Sequence, residues 1–204
     1  MSTPPDAVVG LVLAGGRSTR FGGEKAVALL EGRPLLEWAA ERLRAVCGSV
    51  AINVRPGTEA EAAARALALP TLVDAEGDAA GPLAGVKAGL IWAEEQGAQT
   101  LAVSPCDAPL LPGDLYARLL ERAGDGAALA ETSDGLQPLC AVWPVAALPL
   151  VRESLAGGAH PPTWRVLERA GAHKVLFERA DAFANVNTRA DLAAVECLRA
   201  QHRR

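Results

Sequence analysis

The chain has 204 residues, half of them hydrophobic, and a formal net charge of −4 at pH 7. This length predicts one domain, residues 1–204, with a substantial core. The apolar content excludes a mainly disordered chain, and the acidic balance argues against a partner such as nucleic acid or anionic lipid that binds through bulk charge.

The first apolar run, VVGLVLA, is too short to cross a bilayer, and no basic segment precedes it. The four cysteines lie far apart in the sequence, which favours reduced thiols in a reducing compartment. We therefore expect a soluble protein of the cytoplasm that has neither a membrane nor a nucleic acid as partner.

Up to about residue 125, short apolar runs alternate with amphipathic segments. The predicted strands are 7–14, 50–54, 71–73 and 100–105, and the predicted helices are 34–46, 58–69, 83–96 and 114–123. This alternation predicts βαβ units and a mostly parallel sheet with helices on both faces. The loops that follow the strands then share one edge of the sheet, where ligands bind in such folds.

The pattern changes after residue 125. Two apolar runs, 127–131 and 139–143, flank the polar turn TSDG and predict an antiparallel hairpin. The sequence then predicts helices at about 145–155 and 164–170, a strand at 174–178 and a C-terminal helix to about residue 200. A capping box of Thr188 and Asp191 opens the last helix. The predicted fold class is α/β, with a single Rossmann-like, mostly parallel sheet and an antiparallel hairpin in the second half.

The segment LAGGRSTRFGGEK, residues 13–25, is rich in glycine and in cations. Its glycines permit close approach of a ligand to the backbone, and Arg17, Arg20 and Lys25 supply positive charge, which suits a polyphosphate. A tight turn with solvated arginines is the alternative. Lys25 favours phosphate binding, because the chain has 17 arginines but only three lysines and a compact ammonium follows a phosphate well.

Two common nucleotide motifs do not match this segment. A P-loop requires a hydroxyl residue after its lysine, whereas Ala26 follows Lys25 here. The glycine doublets also lack the spacing of the dinucleotide-binding G-x-G-x-x-G fingerprint. The segment therefore predicts a different kind of nucleotide site.

Polar side chains stand at the ends of three predicted strands: Asn53, Asp74 and Asp107. Asp107 could bind Mg²⁺ that bridges phosphates, or could cap a turn in its proline-rich loop. Asn53 and Asp74 offer the donors and acceptors that complement a guanine edge, but either residue could equally stabilise its own turn. Both interpretations remain open on the residues alone.

Two further segments have a structural and a functional interpretation. GPLAG, residues 81–85, opens a predicted helix, whose free N–H groups form an anion-binding end or an ordinary helix start. Asn185 and Asn187 could reach the site or could cap the last helix.

Residues 13–25 resemble the LAGGxSxRMGxDK signature of the MobA-like nucleotidylyltransferases, which transfer NMP from an NTP to a phosphate. GPLAG, PCDAP (105–109) and NVNTRADL (185–192) resemble further segments of this family in the same order, most closely its molybdenum cofactor guanylyltransferase branch. The resemblance implies a nucleotidyltransferase fold and an enzyme that joins GMP from GTP to molybdopterin and releases pyrophosphate. It also implies Mg²⁺ as cofactor, a GTP-binding half at about 1–110, an acceptor-binding half at about 111–204, and transient contacts with enzymes that supply or receive the cofactor.

The resemblance assigns residues as well. Lys25, Arg20 and Asp107 are the implied catalytic residues, and Asp107 is the implied metal ligand. The implied nucleotide-binding residues are Leu13, Ala14, Gly15, Gly16, Lys25, Asn53, Asp74 and Asp107. Arg189 stands where the family usually has proline, and Phe21 where it has methionine.

Three alternatives remain. A sister enzyme would use CTP on molybdopterin, another nucleotidylyltransferase would act on a different small phosphate, and a non-catalytic module would only bind the nucleotide. LAGG and GPLAG favour the GTP-using branch, because the CTP-using branch tends to have LAAG and a different helix start.

Overall fold

The computed structural model describes residues 7–16, 21–78 and 81–202, the last three of these as backbone only. The strands are β1 (Val8–Leu13), β2 (Leu29–Leu30), β3 (Arg33–Pro34), β4 (Ser49–Asn53), β5 (Thr71–Leu72), β6 (Thr100–Pro105), β7 (Ala128–Thr132), β8 (Gly135–Pro144) and β9 (His173–Leu176). The helices are α1 (Leu35–Arg44), α2 (Glu59–Ala66), α3 (Pro82–Glu95), α4 (Leu115–Ala123), α5 (Leu148–Leu155), α6 (Thr163–Arg169) and α7 (Arg189–His202).

In the described part of the chain, seven strands form one sheet in the order β5-β4-β1-β6-β8-β7-β9. Strands β5, β4, β1 and β6 are parallel, β8 is antiparallel to its neighbours β6 and β7, and β9 is parallel to β7. The predicted α/β fold with a mostly parallel sheet is confirmed. The predicted hairpin is also confirmed as β7 and β8, although β8 begins four residues before the predicted run because the strand extends to the turn.

The sheet is covered on both faces, as the side chains of β1 show by alternating between two hydrophobic cores. Val8 and Val12 belong to the core formed with α1, α2 and α4, and Val9 and Leu11 belong to the core formed with α3, α5 and α6. Such runs of apolar residues are typical of parallel strands that are buried on both faces.

Strand β1 lies at the point where the direction of winding reverses. The chain goes from β1 to β4 and β5 on one side and then returns to place β6 on the other side. In open α/β sheets this reversal leaves a crevice beyond the carboxyl ends of the strands. The crevice here is bounded by Leu13, Asn53 and Pro105, which end β1, β4 and β6.

Helix α7 begins with the predicted capping box, which is confirmed. The backbone N–H of Asp191 donates to Thr188 Oγ1 at 3.2 Å, and Asp191 Oδ2 accepts from the N–H groups of Thr188 and Asn187 at 2.8 Å each. Val195 of this helix packs against Phe21 and Leu30. Helix α7 therefore packs beside Phe21 and Leu30.

Across the described ranges, no helix is long and apolar enough to span a membrane.

Candidate active site

The crevice at the carboxyl ends of β1, β4 and β6 is a pocket of about 440 Å³, which is within the usual size range of small-molecule sites. The predicted nucleotide-binding residues all line it: Leu13, Ala14, Gly15, Gly16, Lys25, Asn53, Asp74 and Asp107. Arg20, the remaining predicted catalytic residue, lies outside the described residues. The structure therefore brings residues from four separate segments of the sequence to one cavity.

The backbone after β1 enters the pocket in an extended course. The N–H of Ala14 donates to the carbonyl of Asn53 at 2.9 Å, which continues the pairing of β1 with β4 by one residue. Beyond it, Gly16 has open space where a side chain would stand. This stretch of backbone can therefore be approached closely by a ligand.

Lys25, Asp107 and Asn187 meet at one end of the pocket. The Lys25 ammonium forms an ion pair with Asp107 Oδ2 and donates to Asn187 Oδ1 at 3.1 Å. Asn187 lies there because the N–H of Val186 donates to the backbone carbonyl of Asp107 at 2.7 Å. The side chains of Lys25 and Asp107 are only 14% and 18% exposed, so their charges interact in a partly desolvated place.

This end of the pocket suits a hard cation as well as phosphate. Two oxygen ligands of different kinds, the Asp107 carboxylate and the Asn187 amide, converge on the Lys25 ammonium. Mg²⁺ sites commonly use one or two carboxylates together with substrate oxygens and water. Among the described residues, no three acidic, histidine or cysteine side chains cluster as a complete metal site, so substrate oxygens would have to complete the coordination.

Asn53 is buried at the other end of the pocket, where it orients Asp74. Its Nδ2 donates to Asp74 Oδ1 at 2.8 Å and more weakly to the Leu72 carbonyl at 3.4 Å. Both amide protons are therefore engaged within the protein. Asp74 lines the pocket and is positioned there by Asn53, so the structure separates two residues that the sequence had treated as equivalent.

Helix α3 fits against Asn53 because residue 85 is glycine. A Cβ at Gly85 would stand 2.6 Å from Asn53 Oδ1 and 2.7 Å from Leu13 Cδ2, closer than atoms can approach. The segment GPLAG is thus more than a helix start, since its last glycine admits the side chain that orients Asp74. Gly81 and Pro82 of the same segment line the pocket.

The charge of Asp74 depends on its surroundings. Burial raises the pKa of its carboxyl, the hydrogen bond from Asn53 lowers it, the negative charge of Asp78 raises it and the positive charge of Lys87 lowers it, with a net shift upwards. The ionised form is an acceptor for two N–H donors. The same pocket end therefore offers an acceptor whose charge is set by its neighbours.

Cys106 lines the pocket beside Asp107 but is not suited to nucleophilic chemistry. Burial, and then the charge of Asp107, raise the pKa of its thiol to about 12. The thiolate is the nucleophilic form of cysteine, so a thiol that stays protonated at neutral pH is inert.

Several residues at the pocket escaped prediction. Arg55 and Leu139 also line it, and the imidazole of His160 lies so close to Gly81 that a Cβ there would be 1.9 Å from its Cε1. Arg55 follows a predicted strand end by two residues, which was an available signal. Leu139 and His160 come from distant segments that carry no local signal of a site, and Asn185 is exposed and does not line the pocket.

The model of the MobA-like NTP transferase domain matches residues 10–175, which include the last four residues of β1, the pocket residues up to Leu139 and the hairpin. The chain belongs to the MobA-like NTP transferase family. It is therefore an enzyme, a nucleotidyltransferase, and the predicted family is confirmed.

Relatives in this family cover nearly the whole chain. A protein of Cereibacter sphaeroides named molybdenum cofactor guanylyltransferase is 44% identical over 194 residues, which is 93% of this chain and 95% of that protein. A protein of the same name from Cupriavidus taiwanensis is 38% identical over 201 residues, covering 94% and 97% of the two chains.

Solved structures show the same fold. The molybdopterin-guanine dinucleotide biosynthesis protein A of Archaeoglobus fulgidus superposes with a TM-score of 0.71 at 23% identity, over 95% of this chain and 99% of that one. A CMP:2-keto-3-deoxy-manno-octonic acid synthetase with CTP superposes with a TM-score of 0.73 at 13% identity, over 96% and 99%. Members of the MobA-like family thus share their fold with nucleotidyltransferases of other substrates, and the fold alone does not select the nucleotide.

Proposed function

We propose that this enzyme transfers GMP from GTP to the phosphate of molybdopterin and releases pyrophosphate. The observation that carries the proposal is that one pocket has two chemically different ends. Asp74, a hydrogen-bond acceptor, lies at one end, and the ion pair of Lys25 and Asp107 lies at the other. The name shared by the relatives over 93–94% of this chain supports it.

The end of the pocket at Asp74 suits guanine. The Watson–Crick edge of guanine presents two adjacent N–H donors, and an ionised carboxylate accepts two such bonds. The same edge of adenine has one amino donor beside a ring acceptor, and that of cytosine has one amino donor beside two acceptors. Neither base therefore offers two adjacent donors to the two carboxylate oxygens. Asn53 stabilises the required orientation, because its amide already holds one oxygen of Asp74.

The other end suits the triphosphate. Gly15, Gly16 and Lys25 line the pocket here, so the glycine backbone and the Lys25 ammonium can meet phosphate oxygens once Lys25 exchanges its partners Asp107 and Asn187 for them. Asp107, with the amide oxygen of Asn187 beside it, would hold Mg²⁺. When bound, Mg²⁺ neutralises charge on the phosphates and so makes the α-phosphorus more open to attack.

The reaction needs little covalent chemistry from the protein. An oxygen of the acceptor phosphate forms a bond to the α-phosphorus, and the bond from that phosphorus to the bridging oxygen breaks, so its electron pair leaves with pyrophosphate. The attacking oxygen is already an anion and requires no general base. Lys25 stabilises the charge that grows on the leaving pyrophosphate, and the pocket contributes by position and charge. Residues from about 111 onwards, which supply Leu139 and Asn187 to the site, are proposed to bind the acceptor.

The first experiment is a binding panel of GTP, CTP, ATP and UTP, each with and without Mg²⁺, by calorimetry. We expect selective binding of GTP that is strengthened by Mg²⁺, followed by release of pyrophosphate when molybdopterin is added. A preference for CTP would move the enzyme to the cytidylyltransferase branch. Binding without pyrophosphate release would favour a nucleotide-binding module that has lost catalysis.

A variant makes the panel specific to the proposed site. Asp74→Asn keeps the shape of the side chain but replaces one acceptor oxygen by a donor, so GTP affinity should fall about tenfold or more, which corresponds to about 1.4 kcal/mol. Weak binding of ATP, which depends on the triphosphate, should change little. Asp134→Asn in the exposed β7–β8 turn removes the same charge away from the pocket and serves as the control.

A further inference from the structure

A second charged pair lies behind the Asp74 end of the pocket. The ammonium of Lys87, on α3, contacts the carboxylate of Asp78 in the loop between β5 and α3. The two side chains are only 14% and 12% exposed. An ion pair with so little contact with water has a large desolvation penalty, so it contributes little more to stability than an apolar pair would. Its presence at this position therefore needs an explanation other than stability.

Asp74 belongs to the same group of charges. It lies four residues before Asp78 in the same loop, and both Asp78 and Lys87 act on the pKa of its carboxyl, in opposite directions. One lysine therefore serves two carboxylates. Without Lys87, the negative charge of Asp78 would act on Asp74 without compensation and would raise the pKa of the Asp74 carboxyl further.

The loop is also held at two points. Asn53 from β4 holds Asp74 near its beginning, and Lys87 from α3 pairs with Asp78 further along it. Between these points the N–H of Asp78 donates to the carbonyl of Ala75 at 3.1 Å, so the loop folds back on itself. Asp74 is thus oriented by its hydrogen bond from Asn53, and Lys87 acts on it through charge.

We propose that Lys87 is a positioning residue for base recognition, which neutralises Asp78 so that Asp74 stays an ionised acceptor for the adjacent N–H groups of guanine. This inference rests on the proposed function, since it explains how the base is recognised. Lys87 itself is not among the residues that line the pocket.

Other ionisable groups surround the loop. Glu76 belongs to the loop itself, Arg55 lines the pocket from the end of β4, and His160 lies against Gly81 at the start of α3. All three are exposed, so water and salt screen their effect on Asp74. Lys87 and Asp78, which are screened least, are therefore the pair to vary.

The test compares GTP affinity of the wild-type enzyme and Lys87→Met at pH 6, 7 and 8 with Mg²⁺ present. Taking the ratio of the two dissociation constants at each pH cancels protonation of the nucleotide itself. We expect GTP to bind the variant more weakly than wild type, with a ratio that increases as the pH falls from 8 to 6, because without Lys87 the charge of Asp78 raises the pKa of Asp74 and favours its protonated form. A ratio that does not change with pH would overturn the proposal.

The double variant Asp78→Asn/Lys87→Met separates charge from structure. It removes one negative and one positive charge together, so the charge around Asp74 is the same as in the wild type. We expect its GTP affinity at pH 6 to recover to within about threefold of wild type, a coupling that a double-mutant cycle measures directly. A double variant as weak as Lys87→Met at pH 6 would show that Lys87 acts only through the fold, and would overturn the proposal.

A measurement without nucleotide keeps the two proposals distinguishable. The titration of the Asp74 carboxyl is followed by carbon NMR in the free protein, assigned by its loss in Asp74→Asn, in the wild type and in Asp78→Asn. We expect a lower midpoint in Asp78→Asn, because the positive charge of Lys87 then acts on Asp74 without the opposing charge of Asp78. An unchanged midpoint would overturn the inference even if GTP binds as proposed. A wild-type enzyme that does not prefer GTP would instead contradict the proposed function, and this titration would still decide whether Lys87 and Asp78 set the charge of Asp74.

Discussion

The two ends of the pocket are built on different electrostatic principles. At the end with Lys25 and Asp107, two opposite charges satisfy each other and both line the cavity. At the end with Asp74, a neutral amide from Asn53 orients the carboxylate, and the compensating charge of Lys87 lies behind it, away from the cavity lining.

The difference teaches what each end must do. Phosphate and metal ions are charged, so they can replace Lys25 and Asp107 as each other's partners. Once this ion pair separates, Lys25 can bind phosphate and Asp107 can bind a metal ion. A purine base is neutral, so the protein must keep one acceptor fixed and ionised before the ligand arrives. In the proposed function, exchange of charged partners serves the reaction at one end, and a preorganised hydrogen-bond acceptor serves recognition of the base at the other.

The largest expected effect is at the charged end. Asp107→Asn should lower the rate of transfer at least about 100-fold, because it replaces the proposed charged metal ligand by an amide that binds Mg²⁺ weakly. Binding of GTP without Mg²⁺ should be unchanged or tighter, since Lys25 loses its carboxylate partner. Pyrophosphate release and calorimetry measure the two effects, and near-normal turnover would contradict the metal role of Asp107.

Lys25 tests the same end from the cationic side. Lys25→Met should lower the transfer rate about 10–100-fold and weaken GTP binding with and without Mg²⁺, because the ammonium no longer meets the phosphates. Lys25→Arg retains the charge but not the compact shape, so it should restore binding more than rate. If both variants shifted the preference between GTP and ATP, the separation of the two ends would be wrong.

A smaller effect is expected from a methyl group at the base end. Gly85→Ala places a Cβ against Asn53 Oδ1 and Leu13 Cδ2, so Asn53 must move and Asp74 loses its orientation. We expect about tenfold weaker GTP binding and a loss of about 1–3 kcal/mol in unfolding free energy.

Gly89→Ala is the matched control for this prediction. It lies one turn further along α3, where a Cβ would stand 2.6 Å from Leu11 Cδ2 and 2.9 Å from Leu101 Cδ2 in the apolar core. Both variants should be destabilised in urea unfolding, but only Gly85→Ala should alter GTP affinity. Equal losses of affinity in both would mean that α3 acts through stability alone.

The two ends also differ in how far the sequence predicts them. Apolar runs such as β1 and β6 were evident because they are long and buried on both faces, whereas β2 and β3, with two residues each, are too short to show any periodicity. Asp74 and Asp107 were predicted because each follows a strand, and the ends of parallel strands meet at one edge. Lys25 was predicted from the glycine-rich segment after β1 and from the rarity of lysine in the chain.

The partners of those residues were left open by the sequence, as for Asn187, or were not predicted at all, as for Lys87. Asn187 is 162 residues from Lys25, and only tertiary structure brings them together. Lys87 lies on an ordinary helix and pairs with Asp78 across nine residues, a separation that matches neither helical nor strand periodicity. Strand ends thus reveal which groups face a ligand, but the residues that orient them depend on packing that local patterns do not encode.

The smallest expected effect concerns Asn187, which the capping box of α7 holds at the charged end. Thr188→Ala removes the acceptor for the N–H of Asp191, and we expect a loss of about 1 kcal/mol in unfolding free energy. Because Asp191 still accepts from the N–H of Asn187, transfer should slow by less than about threefold, and the preference for GTP over ATP should not change.

The same box has a definite dependence on pH. Its backbone hydrogen bonds from Asn187 and Thr188 lower the pKa of Asp191, so the stabilisation is present above the ordinary aspartate pKa of about 3.9 and is lost as the pH falls through the lowered value. Denaturant unfolding between pH 3 and pH 7 should therefore show a smaller acid-dependent loss in Asp191→Asn than in the wild type. A change in base preference on altering Thr188 or Asp191 would mean that the two ends of the pocket are coupled through α7, against the division drawn from their contacts.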